Sequence, residues 1–197
     1  MTTNLFDDHQ ADDATLVRLH QRLEHDAAED ELLDVAYRTV DSPVGPLLLA
    51  ATTVGLVRVA YDIEDHDAVL AVLADSVSPR VLRAPARLDV AARQLDEYFA
   101  KRRTDFEVPV DLRLAEGFRR RVIEHLRDIG YGRRESYAAV AAAVGNPRAV
   151  RAVGTACAHN PLPVVIPCHR VVRSDGSTGQ YVGGPAAKSA LLTLEAA

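Results

Sequence analysis

The sequence predicts an α+β fold: a small N-terminal sheet-and-helix unit followed by a mostly helical C-terminal unit. Three observations carry this. Between residues 35 and 61, three short apolar runs separated by Pro and Gly turns read as strands. From Phe118 onward, apolar residues recur at three- and four-residue steps, the period of a helix. The chain has 197 residues, 48% of them apolar, enough for one large or two small domains.

The elements follow in order. Residues 1–34 hold ten acidic residues and two arginines, an acidic extension in which Leu16, Leu19 and Leu23 recur at helical spacing, so 13–33 is expected to be a short amphipathic helix on a mobile arm. Residues 35–108 form the α/β unit, with strands expected at 35–40, 47–52 and 56–61 and helices at 65–75 and 89–101. Residues 104–111, extended and holding Pro109, read as the linker into the C-terminal unit, 109–197. There Phe118, Val122, Ile123 and Leu126 give a helix ending near Gly130. Ser136 is the expected N-cap of a helix running to Val144. Gly145-Asn146 makes a turn, and Pro147 suits the first turn of a helix reaching Ala158. Two short helices around a Gly turn are a helix-turn-helix signature. Residues 186–195 close the chain as a last helix.

Composition narrows the function classes. No apolar stretch reaches membrane-spanning length, and residues 1–30 lack the order of a signal peptide. The two cysteines, Cys157 and Cys168, do not have zinc-site spacing, so no metal is expected. A single disulfide would silence a nucleophile, and a reducing, cytoplasmic compartment is expected, with the protein a monomer that has no membrane partner. Net charge is −5 but unevenly spread: residues 1–108 carry eleven basic and twenty-one acidic residues, residues 109–197 twelve and seven. A polyanion partner would meet the C-terminal half.

The chemistry concentrates in Ile166-Pro167-Cys168-His169-Arg170-Val171-Val172. The preceding run, 163–166, reads as a buried strand, and Pro167 ends its pairing because it has no N–H. A free cysteine is by default a small buried hydrophobe. Here His169 and Arg170 would lower the thiol pKa, and only the thiolate is an effective nucleophile. Adjacent residues in extended chain point to opposite sides. A water is therefore expected to bridge Cys168 and His169, and a third group to orient the imidazole.

Other residues admit a plain reading beside a functional one. Arg148 and Arg151 share a helix face, with Val150, Val153 and Cys157 on another, which also describes a solvated helix edge. Tyr137 after the cap is by default a half-buried aromatic, and Asn160 before Pro161 a turn residue. Glu195 near a helix C-terminus opposes the macrodipole, so solvent exposure or a buried partner must explain it. Lys188, seven residues earlier, lies on the same helix. The Gly-rich loop 176–184 around Tyr181 lacks the strand–loop–helix order of a phosphate cradle.

Taken together, Ser136-Tyr137, Gly145-Asn146-Pro147, Arg151-Ala152-Val153-Gly154, Asn160-Pro161, Pro167-Cys168-His169-Arg170, Gly176, Gly179, Tyr181, Gly183-Gly184, Lys188, Leu191-Leu192 and Glu195 resemble the O6-alkylguanine-DNA alkyltransferase family, in order and in spacing. Asp41-Ser42-Pro43-Val44-Gly45-Pro46-Leu47 is similar to the first hairpin of that family's N-terminal domain. The resemblance implies repair of alkylated double-stranded DNA by irreversible transfer of the alkyl group from O6 of guanine to Cys168, once per molecule and without a cofactor. It implies that the Cys168 thiolate is served by a water, His169 and Glu195. Arg151 would take the place of the extruded base, with Arg148, Ala152 and Gly154 on a helix in the minor groove. Tyr137 would rotate a phosphate and help protonate the leaving guanine, Asn160 would tie the DNA-binding helices to the active site, and Lys188 would neutralise the departing base. Tyr181 would bond the substrate oxygen, the Val171 carbonyl would read the guanine amino group, and Gly179, Val182 and Cys157 would line the pocket.

The sequence departs from that pattern at Arg119 and Ile123, where Gln and Trp are usual, and at Val182, Pro185 and Cys157 around the pocket; the acidic extension has no counterpart in a minimal member. Three other readings stay open on sequence alone: a lesion sensor that binds without transfer, a helix-turn-helix transcription factor, and a cysteine hydrolase.

Overall fold

The computed structural model describes residues 13–30 and 32–196; of the expected acidic extension 1–34, residues 1–12 and 31 lie outside them. Helix α1 (Asp13–Glu29) ends four residues short of the sequence reading. It docks by His20 Nε2 on the Arg83 carbonyl (2.6 Å) and by Ala27 against Leu33, Ala36 and Ala84. Its leucine stripe is not buried: Leu16, Leu19 and Leu23 are 52%, 54% and 52% exposed.

Strands β1 (Val35–Val40), β2 (Leu47–Ala51) and β3 (Leu56–Tyr61) make an antiparallel meander. Helix α2 (His66–Ser76) then crosses to β4 (Val81–Arg83), which lies parallel to β1 and completes the order β3-β2-β1-β4. One face packs on Val69 and Leu73 of α2; the other joins Leu95 and Tyr98 of α3 (Asp89–Phe99). Both faces are covered, so Leu47, Leu48, Leu49 and Ala50 are all buried and β2 shows no apolar–polar alternation. Three-residue β4, with two half-buried positions, offered too short a pattern to read.

The expected linker is a strap rather than a spacer. Leu56 N–H donates to the Pro109 carbonyl and Asp111 N–H to the Leu56 carbonyl, both at 2.8 Å, so the segment runs parallel along the β3 edge. The buried Asp111 carboxylate accepts from Thr52 Oγ1 (2.6 Å) and Arg113 Nε (2.7 Å), fixing the exit.

The C-terminal unit packs α4 (Gly117–Leu126), α5 (Tyr137–Ala143) and α6 (Val150–Ala158) around Val122, Ile123, Leu126, Val140, Val153 and Ala156. Ser136 caps α5 as expected, its Oγ accepting from Ala139 N–H at 3.1 Å. Helix α6 starts later than the sequence suggests. Pro147 sits in a turn closed by Ala149 N–H to the Asn146 carbonyl (2.9 Å), Arg148 precedes the helix, and Val150 is 38% exposed rather than part of the apolar face. Short β5 (Glu135–Ser136) pairs in parallel with β6 (Val171–Val172), and α7 (Gly184–Leu194) closes the chain.

The run 163–166 is not a strand. It is a turn, with Ile166 N–H on the Leu162 carbonyl (2.7 Å) and Val164 at φ +71°. Pro161, Pro163 and Pro167 have no N–H to give a ladder, so Pro163, Val164 and Ile166 are buried as expected and Val165 half-buried, but the pairing is absent. Cys168, His169 and Arg170 follow as one 3₁₀ turn, not as extended chain.

Candidate active site

Asn160 organises the turn that carries the thiol. Its Oδ1 accepts from Leu162 N–H (3.0 Å), while its Nδ2 donates to the Ile166 carbonyl (2.8 Å) and to Cys168 Sγ (3.1 Å). Fully buried, this one side chain joins the end of α6 to the start of the Cys168 turn. Cys168 itself is 1% exposed. Burial pushes its pKa up to about 11, against the pull of the Asn160 amide and the Lys188 ammonium. This corrects the sequence expectation of a thiol lowered by His169 and Arg170. Arg170 is spent on another partner, and dehydration of the sulfur outweighs the favourable groups.

His169 is completely buried. Its Nε2 lies 2.9 Å from Glu195 Oε1. A carboxylate only accepts, so the proton of the neutral imidazole is assigned to Nε2. The lone pair is then on Nδ1, a buried nitrogen with no hydrogen-bond partner among the described residues. Burial lowers the His169 pKa, against the opposing pull of Glu195, so the ring is neutral at rest.

Glu195 caps α7 and is buried, not solvent-exposed. Arg170 grips it through Nε to Oε2 (2.9 Å) and Nη2 to Oε1 (2.8 Å), Tyr98 Oη donates to Oε1 (2.7 Å), and Gly132 N–H donates to Oε2 (3.2 Å). Burial alone would raise the carboxyl pKa. The bonds from His169, Arg170 and Tyr98 more than offset it and hold the group at about 2. Arg170 also donates to the Ile129 carbonyl.

The remaining expected residues fall around this centre. Lys188, fully buried, donates Nζ to the Val171 carbonyl (2.6 Å). Burial lowers the Lys188 pKa. Its Nζ lies 5.8 Å above the Tyr137 ring. Burial pushes the Tyr137 phenol up to about 12. Gly179 packs on that ring, and a Cβ there would collide with the hydroxyl. Tyr181 Oη is 3.0 Å from Tyr61 Oη in a buried pair, and the Tyr61 ring lies under Gly183, where a Cβ would come within 2.6 Å of ring carbons. Val182 and Pro185 join Tyr181, Gly179 and Ala158 around a cleft of about 510 Å³. Cys157, 4% exposed, has its thiol pushed up by burial further than Cys168. Arg151, Ala152 and Gly154 occupy the outward side of α6, and Arg151 faces a neighbouring groove with Tyr137 and Arg173. Arg148 is exposed beyond the helix start, so the two arginines do not share one helix face.

Sequence reasoning missed Tyr61, Tyr98 and the carboxylate grip of Arg170. Tyr61 and Tyr98 lie 120 and 97 residues from their partners, and both sit on apolar faces where an aromatic needs no special reason. Arg170 was visible in the motif, but its partner was not.

Two domain families match: "6-O-methylguanine DNA methyltransferase, ribonuclease-like domain" over residues 35–112, and the DNA binding domain of the same name over 117–197. A methylated-DNA–protein-cysteine methyltransferase of Mycobacterium tuberculosis is 39% identical over 167 residues, covering 82% of this chain and 92% of that protein. The constitutive enzyme of that name from Bacillus subtilis is 36% identical over 160 residues, 81% of this chain and 94% of its own. The crystal structure of Mycobacterium tuberculosis O6-methylguanine methyltransferase superposes with a TM-score of 0.73 at 38% identity, covering 82% of this chain and 93% of that one. A structure from the same organism in complex with DNA gives 0.71, at 38% identity over 82% and 92%.

Proposed function

The chain belongs to the 6-O-methylguanine DNA methyltransferase family, and from that membership we propose how its own residues carry the reaction. The protein binds DNA and repairs it by direct transfer of an alkyl group to a protein cysteine. The acceptor we assign is Cys168, and the observation that carries the assignment is a buried thiol held by Asn160, followed in the chain by His169, whose buried Nδ1 has no hydrogen-bond partner among the described residues.

At rest both members of the pair are neutral, the thiol because burial raises it and the imidazole because burial lowers it. An alkylated guanine swung out of the duplex reaches the cleft walled by Tyr181, Val182 and Pro185. The thiol proton passes through a water to His169 Nδ1, and the Glu195 carboxylate stabilises the imidazolium that forms. Sulfur attacks the alkyl carbon in line: the S–C bond forms as the C–O6 bond breaks, and the electron pair goes to guanine. Lys188 and Tyr137, with Nζ 5.8 Å from the ring, stabilise the leaving base, and Tyr137 donates the proton that it takes up. The product is a thioether that water does not cleave, so each molecule acts once. Arg151 on the outward side of α6 fills the gap left by the base, and double-stranded alkylated DNA is the partner. A lesion sensor, by contrast, has no reactive cysteine to protect or activate.

The test is incubation with O6-methylguanine duplex DNA and mass analysis of the Cys168 peptide. One added methyl group per protein, with the DNA restored, is expected. A label on Cys157 alone, continued turnover, or an unlabelled protein would each overturn the assignment.

A further inference from the structure

Tyr98 stands on α3, outside the unit that carries the thiol, yet its hydroxyl shares Glu195 Oε1 with His169. The side chain is completely buried. Its ring is fixed without the hydroxyl, edge-on to Phe99 (5.3 Å) and Tyr131 (6.1 Å) and tilted on Phe106 (5.3 Å). The carboxylate is also placed without it, since Arg170 grips both oxygens and Gly132 N–H holds Oε2. What the hydroxyl adds is a third donor on the one oxygen that faces the imidazole.

We infer that Tyr98 is a positioning residue for alkyl transfer, acting through Glu195 to hold down the basicity of His169, so that the N-terminal unit is part of the proton relay. The inference rests on the relay proposed above. Burial and the Glu195 charge keep the phenol protonated, so it donates at every working pH. An oxygen already accepting from Tyr98 and Arg170 offers His169 a weaker partner than a free carboxylate would. The other groups facing His169 are Cys168 and Arg170 from its own turn, Lys188 from α7, and Tyr181, whose ring is edge-on at 6.3 Å. None of these changes when the Tyr98 hydroxyl is removed.

The experiment measures the second-order rate of Cys168 alkylation by free O6-benzylguanine across pH, read by peptide mass, for the full chain, Tyr98→Phe, and the chain with 3-fluorotyrosine at position 98. The acidic limb reports protonation of His169. With Phe, Oε1 has more charge for the imidazolium, and the limb is expected to move up by about one pH unit. Fluorotyrosine, a stronger donor of nearly the same shape, should move it down. A purely structural tyrosine would lower stability or the plateau rate and leave the limb in place, and an unmoved limb in Tyr98→Phe overturns the inference. Should the Phe variant fail to fold, an unmoved limb with fluorotyrosine does so instead. No label on Cys168 in the unmodified chain would sink the relay itself, an outcome distinct from a labelled protein with an immobile limb.

Discussion

The thiol of Cys168 is kept protonated by its own burial, yet the reaction needs it ionised. The proton must therefore leave as the alkyl carbon arrives, and the base we propose for it is His169 Nδ1, buried and without a hydrogen-bond partner among the described residues. Cys168→Ala or Cys168→Ser should abolish transfer and leave DNA binding largely intact, because the side chain is buried away from the outward face of α6; a gel-shift titration beside a transfer assay measures both. Asn160→Ala removes three hydrogen bonds at once. It leaves Leu162 N–H and the Ile166 carbonyl without that partner and takes away the donor that lowers the thiol pKa. A loss of roughly 1–3 kcal/mol of stability for a buried unsatisfied group should accompany a further rise of the Cys168 pKa. Denaturant unfolding reads the first, and the pH dependence of iodoacetamide labelling at the Cys168 peptide the second. An unchanged labelling curve would mean that Asn160 braces the turn without tuning the sulfur.

Among the elements, those with a complete local signal were legible. Strands β1 and β3 have the bounds their apolar runs suggest, and the Ser136 cap is where Ser before an alanine-rich run places it. Readings failed where a distant partner decides. The run 163–166 is apolar enough for a strand, but its prolines and the Asn160 amide make it a turn. The segment 104–111 pairs with β3, which no periodicity within it reveals. Two consequences belong to this scale. Ser136→Ala should cost about 1 kcal/mol, the usual value of a lost N-cap, and loosen Tyr137 at the first position of α5; thermal unfolding checks it. Arg151→Ala should slow repair of duplex DNA about tenfold or more relative to free O6-benzylguanine. Unstacking a base costs a few kcal/mol, and each 1.4 kcal/mol is a decade in rate. Arg151 is exposed, so equal fractional losses on both substrates would remove the proposed role of gap filler.

Across the whole molecule, the two units meet at the cluster around Glu195 and Tyr181 rather than merely side by side. Tyr61 and Tyr98 reach Tyr181 and Glu195, and the Val59 N–H bonds the Pro161 carbonyl at 2.8 Å. Disturbing the Arg170–Glu195–His169 cluster should therefore unsettle the fold as well as the chemistry. Two groups in it bind fewer protons folded than unfolded. His169 has its pKa lowered below 6.5, so the stability it contributes is present above that value and declines as pH falls below it. Glu195 is held at about 2 against an ordinary 4.5, so its contribution is complete above 4.5 and is lost as pH falls through about 2. A depression of that size corresponds to on the order of 3 kcal/mol. Glu195→Gln removes this contribution and strands the buried Arg170 without its counter-charge, a change that typically costs about 3–5 kcal/mol. The variant should accordingly be much less stable than the parent at neutral pH, and the gap should narrow on acidification as the parent's own carboxylate is protonated. Denaturant melts of both proteins from neutral pH down to the acid limit measure that gap directly. A difference that stays constant across the range would mean that Glu195 is not ionised in the fold, and the charged cluster that joins the two units would have to be abandoned.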